Sequence, residues 1–230
     1  MNHPETLTHA KGKTLGFPPS AFLLMAQLLL LILYAVFDDL YSQHALISAF
    51  SVVVLVLIVW VVNHRPAIAW LTWTLAIPSF VLSLLSAVFI NTSLQIWLSL
   101  LQAALYFYAA GSLIAYMMGD EQVTVDELFA VGATFTLLAW GFAYLYLVCQ
   151  TWIPDSFVSG VILDRPLTFI EFLFLSFTNL SSAGLSDIVP SSAWARVLMM
   201  LEQLVGVGYV AIVVSRLVGL TIQRQSRKRG

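Results

Sequence analysis

The sequence predicts an all-α integral membrane protein: six transmembrane helices, with a re-entrant helix and loop between the fifth and the sixth. Three observations carry that prediction. Hydrophobic residues make up 60% of the chain and charged residues only 10%, with a mean hydropathy of +0.91; an ordinary soluble domain has about 45–50% apolar and about 25% charged residues. So few charges cannot form a water-exposed surface of normal polarity, which excludes a soluble enzyme or a disordered chain. Six apolar stretches are each long enough for the roughly 20 residues that a spanning helix requires. A seventh, from Thr168 to Ser182, is too short to span and turns polar at its end.

The elements follow in order. Residues 1–17 read as a polar tail containing Lys11 and Lys13; they have no short apolar core followed by a small-residue cleavage site, so a removed signal peptide is not expected. A four-helix membrane domain, 18–118, holds stretches at Pro18–Phe37, Ala45–Val62, Ile68–Ile90 and Leu94–Met118, none of which contains Asp, Glu, Lys or Arg. Pro78 predicts a kink in the third. A second domain, 119–221, holds the fifth stretch (Glu127–Thr151), the short segment and the sixth stretch (Ala193–Thr221), and a basic tail, 222–230, follows. Trp60, Trp70, Trp152 and Trp194 fall near the expected ends, where interfacial anchors belong.

Charge sets the orientation. With six spans both termini share one side, which collects Lys11, Lys13, Arg65, Arg216, Arg224, Arg227, Lys228 and Arg229; the other side keeps Arg165 and Arg196. The bias places both termini in the cytoplasm. The basic residues at 216, 224, 227, 228 and 229 are expected to meet anionic lipid headgroups. Ten basic residues against twelve acids give a net charge of −2, so no nucleic-acid partner is expected. Cys149 is the single cysteine, which excludes an internal disulfide.

Two helix starts carry capping signatures. Thr124 with Glu127, and Thr168 with Glu171, have the spacing of a capping box. The second fixes the amino end of the short helix near the outer face, so its carbonyl end points inward and favours a cation beyond it. The chain then runs through Ser181, Ser182, Ala183, Gly184, Leu185, Ser186 and Asp187 to Ile188-Val189-Pro190. Irregular backbone at membrane depth survives only when buried in protein or facing water.

The stretch from Ser176 to Pro190, followed by Ala195-Arg196 and Met200–Gly206, resembles the pore module of tetrameric potassium channels and is similar to bacterial members of the two-helix pore superfamily. In that family a pore helix ends in T-T-V-G-Y-G-D, and an Asp-Ile-x-Pro exit leads into the inner helix. Aligned without gaps, Ser181 to Asp187 occupies those places, and the likeness runs from about Val123 to Leu220. Gly184 stays as the family has it. Ser182 replaces threonine and keeps a hydroxyl, Leu185 replaces tyrosine, and Ser186 replaces the second glycine. If position 186 needs a left-handed backbone, a side chain there costs about 1–2 kcal/mol.

The resemblance implies a homotetrameric cation channel in a bacterial inner membrane, conducting K+ or Na+ passively. Ser181, Ser182, Ala183, Gly184, Leu185 and Ser186 would form the ion-conducting filter, and Asp187 its outer mouth. Glu171 and Glu202 would support the filter, and Gly206 and Gly208 would form an inner-helix hinge. The altered filter implies reduced potassium selectivity, and no cofactor or resident metal is implied. Leu94–Met118 has no arginine, so steep voltage gating is not expected.

The residues leave alternatives open. Glu202 could be a snorkelling acid, although ~13 Å into the helix is deep for that. Gly206 and Gly208 could serve close packing, and Asp187 could simply bond the pore-helix region. The re-entrant segment could belong to a non-conducting scaffold or a secondary transporter with a broken helix. A membrane hydrolase would need a base near Ser182 or Ser186, and no histidine lies at compatible depth.

Overall fold

In apolar surroundings the backbone must satisfy its own polar groups, and these Leu-, Ala- and Phe-rich stretches do so as helices. The computed structural model describes residues 18–37, 69–88, 92–119, 125–160 and 165–229. The tail 1–17 and the expected second span, Ala45–Val62, lie outside the described residues. The described elements are α1 (Pro19–Phe37), α2 (Ala69–Val88), α3 (Thr92–Gly119), α4 (Val125–Trp152), β1 (Phe157–Ser159), α5 (Phe169–Leu180), β2 (Ile188–Pro190) and α6 (Ala193–Arg229). Among them α3, α4 and residues Ala193–Arg216 of α6 are long and apolar enough to cross a membrane; the apolar parts of α1 and α2, Pro19–Tyr34 and Trp73–Ser83, are shorter. Helix α2 continues through Pro78.

Helix α4 is the centre of the fold and packs against α1, α3, α5 and α6. Its Ala130, Ala133, Ala139 and Ala143 are fully buried, and small residues let neighbouring backbones approach closely. A side-chain carbon at Gly141 would lie only 3.0 Å from the Phe107 ring of α3. Helix α1 runs parallel to α4: the Ser20 N–H donates to Asp126 Oδ1 (3.1 Å) at one end, and the Tyr34 ring lies 5.7 Å from that of Trp140 at the other. The buried Trp140 also lies 5.8 Å from Tyr106 and 5.6 Å from Phe169, which in turn sits 4.6 Å from Tyr144. Each such ring pair contributes about 0.5–1.5 kcal/mol beyond its buried area. Phe169 is the first residue of α5, so this cluster fixes where the short helix begins.

Two adjacent acids open α4 and face different neighbours. Asp126 accepts the Ser20 amide from α1 and the Tyr116 hydroxyl of α3 (2.9 Å). Glu127 pairs with Arg216 of α6 at 3.2 Å, and both side chains are largely withdrawn from solvent. Arg216, expected to meet a headgroup, is paired with this carboxylate within the chain. Glu127, expected to reach back toward Thr124, is engaged with this arginine; Thr124 itself lies outside the described residues.

Two features depart from the expected all-α plan. A small antiparallel ribbon pairs β1 with β2 (Phe157↔Pro190, Val158↔Val189, Ser159↔Ile188), joining the chain before α5 to the chain after its loop. Three-residue strands are too short to print an alternating pattern on a sequence. Phe157 anchors the ribbon, its ring 4.9 Å from Tyr146 and 5.6 Å from Phe172. The second departure is α6, which runs on to Arg229 rather than ending at Thr221. No proline follows, and the Gln, Arg and Lys residues there are good helix formers. The side chains of Arg224, Arg227, Lys228 and Arg229 lie outside the described residues.

The Glu127–Arg216 pair is buried enough to test. Arg216→Met should destabilise the detergent-solubilised protein by about 3–5 kcal/mol by stranding a buried charge, whereas Arg216→Met with Glu127→Leu should recover most of the loss. Thermal unfolding measures both; a single variant melting with the wild type would show the pair to be solvated.

Candidate functional site

The short helix α5 is held at its two ends by different means. At its start, Glu171 Oε2 accepts the Thr168 N–H (2.6 Å), and Arg165 bonds both carboxylate oxygens (2.7 and 3.1 Å). An acid in the first turn also suits the helix dipole. The expected capping box is thus present, its carboxylate half as a short hydrogen bond and its Thr168 half in geometry looser than a hydrogen bond. Glu171 lies at the far end of α5 from the 181–186 loop, ten positions before Ser181 and about 15 Å along the axis. It secures the opposite end of α5.

At the other end the chain folds back onto the helix. Ser181 N–H donates to Phe177 O (3.1 Å), Ser182 N–H to Asn179 O (3.0 Å), and Ala183 and Gly184 N–H both to Thr178 O (2.8 and 3.1 Å). This wrapping requires left-handed backbone at Ser182 (φ 59°) and Gly184 (φ 63°). Glycine takes that conformation freely; at Ser182 it costs about 1–2 kcal/mol. The left-handed demand therefore falls on Ser182 and not on Ser186, whose hydroxyl accepts the Ile188 N–H (3.2 Å). The terminal carbonyls of α5, expected to face a cation, are largely occupied by the amides of their own loop. What remains open is the loop itself: Ser181, Ser182, Ala183, Gly184 and Leu185 are exposed, Leu185 at 75%.

Beyond the loop the chain is tethered. The Asp187 carboxylate accepts the Ser159 hydroxyl of β1, and Ser191 N–H donates to Ser156 O (2.8 Å). Asp187 thus bonds the neighbouring ribbon at the end of the loop.

Behind α5 lies a buried polar cluster centred on Glu202 of α6, which is fully buried. Its carboxylate receives the hydroxyls of Tyr146 (α4) and Ser176 (α5), and the Asn179 side-chain amide at 2.7 Å. Asn179 also donates to Met199 O (3.1 Å) and accepts from Gln203 Nε2 (2.8 Å). Glu202 therefore neither snorkels nor faces the loop's open side. Tyr146, Ser176, Asn179 and Gln203 were not singled out from the sequence. The available signal was Glu202 itself, since an acid within a span demands donors at its depth.

The two glycines of α6 differ. A side-chain carbon at Gly206 would lie 2.1 Å from the carbonyl oxygen of Leu180, the last residue of α5; at Gly208 it would meet nothing within 4 Å. Helix α6 is continuous through both. An open groove of about 390 Å³ lies beside this contact, with Ser181 and Ser182 at one end and Val207, Val210 and Val214 along α6. No group of His, Cys, Asp or Glu able to hold a metal occurs among the described residues.

Residues 132–223 match the family model described as an ion channel. The match begins in α4 and ends in α6, taking in the ribbon, α5, the loop and the Glu202 cluster, which together make up well under half of the chain. No curated protein and no solved structure matches. The chain is thus a membrane protein in which α4–α6 are similar to an ion-channel domain.

Within that domain the Glu202 cluster should dominate local stability. Glu202→Leu strands the Tyr146 hydroxyl and one Asn179 N–H, each costing about 1–3 kcal/mol, while Ser176 keeps Ala139 O as an acceptor (2.8 Å); Tyr146→Phe removes one hydrogen bond for about 1 kcal/mol. Unfolding of the solubilised protein should rank the variants in that order. The reverse ranking would mean that the carboxylate is not the hub.

Proposed function

We propose that the protein is the pore-forming subunit of a homotetrameric cation channel, conducting monovalent cations passively and with reduced potassium selectivity. The observation that carries this reading is the ion-channel match across the segment in which a short helix ends on an exposed loop. In the proposed assembly four copies of Ser181–Ser186 surround one axis, and their carbonyls and hydroxyls replace part of the ion's hydration shell. Helix α6 lines the path below.

The exposure of α6 supports this arrangement. Among the described side chains of α6, only a stripe including Ala195, Glu202, Gly206 and Tyr209 is buried within the chain; Leu201, Leu204, Val207, Val210 and Val214 remain exposed. A face this apolar requires lipid or another copy against it, and closed rings are the usual form of such assemblies. The absence of a tyrosine ring at position 185 leaves the loop without one polar brace, which supports weaker discrimination. In the same reading both termini are cytoplasmic, the membrane is a bacterial inner membrane, and Arg224, Arg227, Lys228 and Arg229 meet anionic headgroups.

Planar-bilayer recording of the purified protein tests the proposal, with native mass spectrometry counting the copies. Unitary cation currents from a tetramer are expected, with a reversal potential that follows both K+ and Na+. Ser182→Gly keeps the left-handed backbone and removes the hydroxyl, so it should change the permeability ratio without abolishing current. Saturating, substrate-dependent flux without unitary steps would instead favour a transporter.

A further inference from the structure

The end of α5 is joined to α6 over consecutive turns of that helix. Asn179, 4% exposed, meets Met199, Glu202 and Gln203 through both ends of its amide. Leu180, the next residue, presses its carbonyl against Gly206. Met199, Gln203 and Gly206 are spaced i, i+4 and i+7, so they lie on one stripe of α6. The residue before this pair holds the loop: Thr178 O carries the amides of both Ala183 and Gly184. Three successive residues of α5 thus bind first the loop, then α6 twice. No flexible segment separates the α6 stripe from the left-handed turn at Ser182–Gly184.

Gly206 is where α6 comes closest to the end of α5, and only a residue without a side chain fits. A side chain there would be driven into a backbone carbonyl that has no rotamer to change. Any added atom meets main chain, the neighbour least able to yield. Gly208, with open space around it, has no such constraint.

We infer that Gly206 and Asn179 are positioning residues for the filter loop: the α5–α6 seat they form sets the geometry of Ser182–Gly184, and through it the ion preference. The inference rests on the proposed function, but part of its test does not. Displacing the seat should weaken the two amide bonds to Thr178 O whether or not ions flow.

The experiment compares wild type, Gly206→Ala, Gly208→Ala and Gln203→Ala in the reconstituted full-length protein. Hydrogen exchange at the Ala183 and Gly184 amides is read alongside K+/Na+ permeability ratios. Gly206→Ala should speed exchange at both amides by about tenfold or more and shift the permeability ratio by about threefold or more. Gly208→Ala should match wild type in both. Gln203 is exposed, so Gln203→Ala removes one bond to Asn179 without opening a cavity; it should move both readouts the same way by about two- to threefold, and it keeps the test alive if Gly206→Ala fails to assemble. A hinge predicts the opposite: lowered open probability in both glycine variants, with exchange and permeability ratio unchanged. Wild-type exchange at both amides in Gly206→Ala or Gln203→Ala overturns the seat. A wild type without currents but with the expected exchange pattern overturns the channel reading and leaves the seat standing.

Discussion

Glu202 is a carboxyl group enclosed by apolar helices, and the way α4, α5 and α6 come together follows from what such a group requires. Without donors it would be among the most costly features of the fold. Tyr146, Ser176 and Asn179 supply them, from α4 in one case and α5 in the others. Membrane helices gain little from hydrophobic attraction to one another. A polar group that can be satisfied in only one arrangement therefore supplies specificity that Leu-on-Leu contact lacks. The depth of α5 and the register of α6 against it are fixed by the same carboxylate.

The loop after α5 is best understood as a helix cap extended into the proposed path. Its first amides serve the helix they leave, and the groups able to face an ion come from the exposed chain that follows. The left-handed turn at Ser182 and Gly184 reverses the chain direction, and the β1–β2 ribbon receives it on the far side. The loop is thus held at both ends by hydrogen bonds, while its middle makes few contacts within one chain. That distribution suits a segment completed by other copies.

Much of this plan was legible in the sequence. Among the described residues, helix ends other than that of α6 fell within two residues of expectation because hydropathy is a strong signal when 60% of a chain is apolar. The short helix was legible from its length and from Glu171, and the channel-like module from the ungapped order of loop, Asp187 and inner helix. What escaped depends on pairs of residues far apart in the chain. The Glu127–Arg216 pair spans 89 positions and the Glu202–Tyr146 bond 56; no local pattern encodes such distances. The ribbon was missed for the same reason. Position 186 was the suspected site of left-handed strain because the family places a glycine there, yet the turn falls at Ser182, a fact that only backbone angles reveal.

Asp126 and Glu127 stand on neighbouring positions of α4, about 100° apart around its axis. One is claimed by α1 and α3 and the other by α6. Rolling the helix either way would pull one carboxylate off its partner before the second found a new one. Helix α4 therefore behaves as a keyed shaft: it can lean together with its neighbours, but it cannot spin among them.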